Sequence, residues 1–189
     1  MPRAVCGIFV GGQSRRLGGH PKGLLAHPSG QGTLIDHVIR MAIATGAEPV
    51  LVGDHPAYAH LGLPMVPDAR QGTGPLGGFE SLFRYAGPRH AFAVACDMPY
   101  VPAQLLEQMQ SLMGPDTDAV MPVRTTGREP LCALYRSPRV LGHVEQALRA
   151  GRLVLRALGD RLNVVEVPLV GEQAHWLDDW DEPADIPGC

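Results

Sequence analysis

The feature that most restricts the fold of this chain is a strand pattern that runs directly into a loop rich in glycine and positive charge. Residues 4–10 form an apolar run with the length and β-branched content of a buried strand. The loop that follows contains two glycine pairs and three cations: Gly11, Gly12, Gly18, Gly19, Arg15, Arg16 and Lys22. Glycines let backbone N–H groups approach a ligand, and guanidinium and ammonium groups suit phosphate oxygens. The stretch therefore predicts a nucleoside triphosphate site at the end of a strand.

Two widespread phosphate-binding loops do not fit this stretch. The Gly-x-Gly-x-x-Gly pattern of dinucleotide folds is absent, because Gly11 and Gly12 are followed directly by Gln13. The Gly-x-x-x-x-Gly-Lys-Ser/Thr pattern is absent as well, because Lys22 is followed by Gly23.

The remainder of the chain alternates between strand and helix patterns. Strands are predicted at 49–52, 64–67, 91–96, 118–123, 131–135 and 163–167, with 125–130 as a polar loop. Helices are predicted from the capping-box residue Thr33 to Gly46, and at 79–85, 102–113, 137–150 and 153–158, with Ser137 as an N-cap. This alternation predicts an α/β fold, a Rossmann-like, doubly wound and mostly parallel sheet with an antiparallel element in the later half.

Length and composition restrict the class of protein further. A chain of 189 residues with 45% hydrophobic content favours one domain over residues 1–189. The net charge of −3 gives no basic field for nucleic acid. No apolar run approaches the roughly 20 residues that span a bilayer, and no signal peptide is evident, so we expect no membrane association and a cytoplasmic location. No cysteine pair has the Cys-x-x-Cys spacing of a zinc site.

The glycine-rich loop resembles the motif L-A-G-G-x-S-x-R-M-G-x-x-K of the molybdenum cofactor guanylyltransferases, a nucleotidyltransferase family. Here it reads Phe9-Val10-Gly11-Gly12-x-Ser14-x-Arg16-Leu17-Gly18-x-x-x-Lys22. Two further stretches are similar to motifs of the same family. Residues 74–78 resemble its G-P-L-A-G motif, and Cys96-Asp97-Met98-Pro99 matches its C-D-M-P motif residue for residue. The resemblance covers essentially the whole chain and is most specific in the first hundred residues.

The resemblance implies a transfer of GMP from GTP to the terminal phosphate of molybdopterin carrying molybdenum, with release of pyrophosphate. It implies that Asp97 holds Mg²⁺, while Lys22 and Arg16 stabilise charge on the triphosphate. The other residues expected to contact the nucleotide are Phe9, Val10, Gly11, Gly12, Gly53, Asp68 and Gly77. A phosphate monoester is largely dianionic at neutral pH because its second pKa is about 6, so the acceptor needs no general base. Transient docking with cofactor-biosynthesis proteins or molybdoenzymes is compatible with this role.

The tail departs from the family pattern. Residues 179–186 occupy the position of the closing motif N-x-N-T-P-E-D-L, but Asp179 and Asp181 stand where the family usually has Asn. A carboxylate cannot donate hydrogen bonds as an amide does. Pro21 and Gly53 also depart from the family's frequent Asp and Asn.

Three alternatives remain beside the guanylyltransferase. A cytidylyltransferase for the same pterin usually shows D-Q-P where this chain has Asp97-Met98-Pro99 and lacks the motif at 74–76. A sugar-phosphate nucleotidyltransferase would show G-T-R-L-x-P-L-T, which is missing. A non-catalytic nucleotide-binding or partner-docking module would need neither Lys22 nor Asp97.

Overall fold

The computed structural model describes residues 3–11, 20–70 and 72–186. Within them, eight strands form one sheet. Their bounds are β1 Val5–Phe9, β2 Glu48–Val52, β3 Met65–Val66, β4 His90–Ala95, β5 Ala119–Arg124, β6 Gly127–Arg128, β7 Cys132–Arg136 and β8 Val164–Pro168.

Helices connect most of these strands. Their bounds are α1 Leu34–Ala44, α2 Pro75–Ala86, α3 Ala103–Leu112, α4 Ser137–Arg149 and α5 Arg156–Gly159. Short 3-10 helices lie at Lys22–Leu24, Pro56–Leu61, Gly171–Leu177 and Pro183–Asp185. No helix in the described part of the chain is long and apolar enough to cross a membrane.

The strand order is β3-β2-β1-β4-β7-β5-β6, and β8 pairs with β5. Strands β1 to β4 are mutually parallel, β7 is antiparallel to both β4 and β5, and β8 is parallel to β5. The predicted fold class is therefore confirmed, including its antiparallel element in the later half. Strand β2 lies on one side of β1, and β4 lies on the other. The strand order therefore reverses direction at β1, which creates a switch point between β1 and β4.

Apolar residues bury both faces of the sheet. In β4, Phe92 and Val94 point into a core with α1 and α3, whereas Ala91 and Ala93 point into a core with α2 and α4. This alternation is the period of two that a strand imposes on its side chains. Because helices cover both faces, the site must lie at an end of the strands rather than on a face of the sheet.

Several predicted details are corrected by the structure. Strand β6 lies within the predicted loop 125–130, because Gly127 and Arg128 pair with β5. Helix α2 begins at Pro75 rather than at residue 79. Ser137 is the first residue of α4 and not its N-cap, which is Arg136. The helical stretch predicted at 153–158 is the shorter helix α5.

Candidate active site

A cleft of about 760 Å³ opens at the carboxyl ends of β1, β2 and β4. It lies at the switch point of the sheet, where open α/β folds bind their ligands. The described residues that line it are Phe9, Val10, Gly11, Lys22, Val52, Tyr58, Asp68, Gly72, Gly74, Pro75, Gly78, Ala95, Cys96, Asp97 and Leu131.

Lys22 and Asp97 meet inside this cleft. The Lys22 Nζ donates to Asp97 Oδ2 at 2.8 Å, although the two residues are 75 positions apart. Asp97 lies in the turn directly after β4, and Lys22 begins a 3-10 helix. A hydrogen bond to the protein interior holds that helix in place: the Gly23 N–H donates to the hydroxyl of buried Tyr58 at 3.1 Å. The two side chains are 16% and 14% exposed, so the pair is shielded from water yet open to a ligand.

The tail of the chain adds a second carboxylate to Lys22. Asp181 accepts a hydrogen bond from the same ammonium. The backbone beside Asp181 is held next to the turn after β4, because the Trp180 N–H donates to the Asp97 carbonyl oxygen at 3.0 Å. Asp185 supports this turn by accepting from the N–H groups of Asp181 and Glu182 at 2.9 and 2.7 Å.

The two carboxylates determine the charge state of Lys22. Burial alone would lower its pKa, but the hydrogen bonds to Asp181 and Asp97 outweigh burial and hold the pKa of Lys22 above its ordinary value. The lysine is therefore a permanent cation at neutral pH. Asp179 lies close to the same cluster, where burial and then the charges of Asp181 and Asp97 raise its pKa.

The opposite wall of the cleft is built from close backbone contacts. Gly53 follows β2 with a φ of +108°, and a Cβ there would lie 3.1 Å from the Gly11 backbone. Only glycine suits this position, since a side chain would meet both strain and a clash. Asp68 follows β3 and lines the cleft, and burial raises the pKa of its carboxyl group.

The glycines at the start of α2 have different surroundings. Gly78 lines the cleft, and a Cβ on it would lie 2.7 Å from the Phe9 ring. Gly77 is not among the lining residues; a Cβ there would lie 2.9 Å from the Arg70 carbonyl oxygen. Gly77 thus packs against the loop before α2, and Gly78 presents the backbone to the cleft.

The structure brings together most of the residues that the sequence singles out. Phe9, Val10, Gly11, Lys22, Asp68 and Asp97 all line the cleft. Gly53 supports it through Gly11, and Gly77 supports it through Arg70. Gly12 and Arg16 lie outside the described residues. Their proposed roles in binding the triphosphate therefore remain predictions.

Tyr58, Leu131 and Asp181 belong to the site but carried no sequence-based role in it. Tyr58 lies in the 3-10 helix Pro56–Leu61, and Leu131 precedes β7. Neither belongs to a phosphate-binding or metal-binding pattern. Asp181 is visible in the sequence as an unusual acid, but its contact with Lys22 depends on the path of the tail across the molecule.

The donor set around Asp97 suits a hard cation that also binds substrate phosphates. Among the described residues, no group of three or more His, Cys, Asp or Glu side chains could hold a metal ion by itself. Asp97 and Asp181 nevertheless place carboxylate oxygens around one ammonium in the cleft. Mg²⁺ is commonly bound by one or two carboxylates together with phosphate oxygens and water. The residues present therefore fit a Mg²⁺ ion that arrives with a nucleotide.

Curated relatives resemble this chain over most of its length. The molybdenum cofactor guanylyltransferase of Desulfosudis oleivorans is 32% identical over 163 residues, which cover 85% of this chain and 79% of that protein. The probable molybdenum cofactor guanylyltransferase of Carboxydothermus hydrogenoformans is 32% identical over 136 residues, which cover 72% and 67% of the two chains.

Solved structures share the fold. Molybdopterin-guanine dinucleotide biosynthesis protein A from Archaeoglobus fulgidus has a TM-score of 0.77 at 24% identity, covering 95% of this chain and 93% of that one. CMP:2-keto-3-deoxy-manno-octonic acid synthetase in complex with CTP has a TM-score of 0.68 at 19% identity, covering 97% and 95%. At these identities the likeness shows the fold alone.

The family assignment rests on residues 6–164, which match the family described as MobA-like NTP transferase domain. This match covers most of the chain and includes Lys22, Asp68 and Asp97. It confirms the family resemblance and the expectation of a nucleotidyltransferase. The chain belongs to the family of MobA-like NTP transferase domains.

Proposed function

We propose that this protein transfers GMP from GTP to the terminal phosphate of molybdopterin carrying molybdenum, and releases pyrophosphate. The observation that carries the proposal is the Lys22–Asp97 pair, held at 2.8 Å in a cleft at the switch point of the sheet. The names of the two relatives at 32% identity support the choice of substrates.

The chemistry is an in-line displacement at the α-phosphorus of GTP. An oxygen of the acceptor phosphate forms the new P–O bond, the bond to the bridging oxygen breaks, and its electron pair leaves with pyrophosphate. Because the acceptor phosphate is largely dianionic at neutral pH, no side chain has to remove a proton. The chain's contribution is then positioning and charge neutralisation. Lys22 supplies a permanent positive charge, and the side-chain-free backbone at Gly11 permits close approach of phosphate oxygens.

We further propose that Asp97 holds Mg²⁺ when the nucleotide is bound. The ion would neutralise charge on the phosphate oxygens, and Asp97 would supply the protein ligand. Asp97→Ala should abolish Mg²⁺-dependent turnover and remove the Mg²⁺-dependent part of GTP affinity. An Asp97→Ala protein whose GTP binding still responds normally to Mg²⁺ would remove Asp97 from the metal site.

Guanine selection would come from the wall opposite Lys22. Phe9 and Val10 present apolar surface there, and Gly53 keeps the backbone of Gly11 accessible. Asp68 adds a carboxyl group to the same wall. A carboxyl group can pair with the N–H groups on the edge of guanine, whereas cytosine presents a different set of donors and acceptors.

The deciding experiment measures pyrophosphate release with molybdenum-loaded molybdopterin and Mg²⁺, with GTP and CTP supplied separately. Release with GTP alone supports the guanylyltransferase. Release with CTP alone would move the protein to the cytidylyltransferase alternative. Release with neither, from folded protein that still binds nucleotide, would point to another acceptor or to a binding role.

A further inference from the structure

One wall of the cleft is a short segment between β3 and α2, comprising residues 68–70 and 72–74, which we call the wall loop. Asp68, Gly72 and Gly74 from this segment line the cleft. Two of these residues are glycines, and Gly72 and Gly74 both have positive φ. A wall of this composition has little intrinsic preference for one shape, so its position must be imposed by its contacts.

Two contacts attach the wall loop to α2, and a third lies within the loop. The Ala69 N–H donates to Ser81 Oγ at 2.8 Å. The Arg70 guanidinium donates from Nε to Glu80 Oε2 at 3.0 Å and from Nη2 to Glu80 Oε1 at 3.2 Å. The Thr73 hydroxyl donates to the Arg70 carbonyl at 2.7 Å. Arg70 is therefore the centre of the loop, since it is bound by α2 through its side chain and by Thr73 through its backbone.

Glu80 is a fully buried carboxylate in the middle of α2. Burying an unpaired carboxylate costs free energy, so Glu80 depends on the cations that pair with it. Besides Arg70 it pairs with Arg84 Nη2 at 2.7 Å. Arg84 in turn pairs with Glu145 on α4 at 2.8 Å. Of the two guanidinium groups, only that of Arg70 contacts Glu80 through two nitrogens. Such a two-point contact fixes the orientation of the guanidinium group as well as its distance from the carboxylate.

We propose that Glu80 is a positioning residue for nucleotide binding, acting through Arg70 to hold the wall loop against the cleft. The inference rests on the proposed function, because it assigns the wall loop to the nucleotide. Neither Glu80 nor Arg70 lines the cleft, so neither touches the substrate directly. The opposing interpretation is that the Arg70–Glu80–Arg84 cluster stabilises α2 and nothing else.

The two arginines provide a matched pair of variants. Arg70→Ala and Arg84→Ala each leave Glu80 with one guanidinium partner, but only Arg70→Ala releases the wall loop. We expect Arg70→Ala to raise the KM for GTP about tenfold with kcat changed less than about twofold, because the loop contacts the nucleotide equally before and during reaction. We expect Arg84→Ala to change the KM less than about twofold. Arg70→Lys, which keeps the charge but loses the fork, should fall between wild type and Arg70→Ala.

A second readout does not depend on turnover. The Ala69 amide is bonded to Ser81, so its hydrogen exchange reports whether the wall loop stays docked on α2. Exchange at Ala69 should accelerate in Arg70→Ala and stay at the wild-type rate in Arg84→Ala. If Arg70→Ala fails to fold, Arg70→Lys carries both measurements.

The outcomes separate the inference from the proposed function. An equal rise of the KM and equal exchange in both alanine variants would overturn the positioning role and leave a cluster that stabilises α2. If wild-type protein binds no GTP, the proposed function fails and so does the assignment of the wall loop to the nucleotide. Selective Ala69 exchange would then still show that the pairing of Arg70 with Glu80 holds the loop on α2.

Discussion

Lys22 has two carboxylate partners, and both occupy donors that phosphate oxygens would use. An ammonium has three N–H groups, and two of them donate to Asp97 and Asp181. A triphosphate that uses more than one N–H group of Lys22 therefore has to displace a carboxylate. Asp97 has a role in that displacement as the proposed metal ligand. Asp181, whose side chain is half exposed, is a competitor for the lysine.

Asp181→Asn is expected to tighten GTP binding by up to about fivefold, the scale of an exposed charge interaction. The amide keeps the shape of the side chain but removes the negative charge that pairs with Lys22. The affinity is measured by calorimetry with and without Mg²⁺. Asp160→Asn is the control, because it removes the same charge at an exposed residue beside Arg128. Weaker binding in Asp181→Asn only when Mg²⁺ is present would instead make Asp181 a metal ligand.

At the residue scale, the sequence predicts a common location best where a side chain follows a strand. Asp68 and Asp97 stand just beyond predicted strands, and both line the cleft because parallel strands bring their carboxyl ends to one edge of the sheet. Their roles in binding stay predictions. Tyr58 could not be found in this way, because its hydroxyl acts through a backbone contact with Gly23. The role of Asp181 could not be found either, since 159 positions separate it from Lys22.

At the scale of elements, two helices have a hydroxyl residue at their N-terminal end, and the two hydroxyl groups differ in their hydrogen bonding. Thr33 caps α1: its hydroxyl accepts from the Asp36 N–H at 3.4 Å, and the Asp36 carboxylate accepts from the Thr33 N–H at 2.9 Å. This capping box was predicted correctly because all of its atoms are local in sequence. Ser137 looked similar, but its buried hydroxyl has no hydrogen-bond partner.

Alanine at the two positions should therefore have different effects on the free energy of unfolding. Thr33→Ala is expected to lower the free energy of unfolding by about 1 kcal/mol, the usual value of an N-cap. Ser137→Ala is expected to leave it unchanged or raise it by up to about 1 kcal/mol, because an unpaired buried hydroxyl is removed. Urea unfolding of both variants tests this. A loss of stability in Ser137→Ala similar to that in Thr33→Ala would contradict it.

Two stacked histidines hold the segment that follows Asp97. The rings of His27 and His37 lie 4.6 Å apart. Each Nε2 is 2.8 Å from a backbone carbonyl, that of Pro99 for His27 and that of Val101 for His37. Burial lowers the pKa of His37 below its ordinary value of 6.5, and the charges of His27 and Arg40 lower it further despite the bond to Val101.

The stability of the protein should decrease in mild acid because of His37. The unfolded chain takes up a proton near pH 6.5, whereas the folded state resists it, so the contribution is present above that pH and is lost as the pH falls toward the lower folded pKa. The free energy of unfolding between pH 7.5 and 5.5 measures this. His37→Asn should flatten the profile, and His143→Gln on α4 should leave it as in wild type. An unchanged profile in His37→Asn would remove His37 as the cause.

At the scale of the whole molecule, segments from distant parts of the chain complete one site. The chain builds β1 to β4 first, continues through β5, β6, β7 and β8, and then returns to the cleft. The return is anchored by apolar side chains, since Leu177 and Trp180 are buried. The parallel half and the antiparallel element could be predicted from the pattern of strands and helices. The return could not, because it depends on contacts between distant parts of the chain.

Nucleotide binding should alter the fluorescence of Trp180. Its backbone N–H donates a hydrogen bond to the Asp97 carbonyl oxygen, and its neighbour Asp181 pairs with Lys22, the cation proposed to bind phosphates. Titration of the protein with GTP and Mg²⁺ should therefore change the tryptophan emission. Trp176→Phe should keep the change, and Trp180→Phe should lose it. A signal that depends on Trp176 alone would show that the tail stays in place at Asp181.

The contact between Lys22 and Asp181 also sets an order of events during synthesis. At about 5 to 20 residues per second, a ribosome needs roughly 8 to 32 s to travel the 159 positions between them. During that interval the nascent chain already contains Lys22, then gains Asp97, and still lacks its second acid. Asp181, the carboxylate that competes with phosphates for Lys22, is therefore the last member of this cluster to be synthesised.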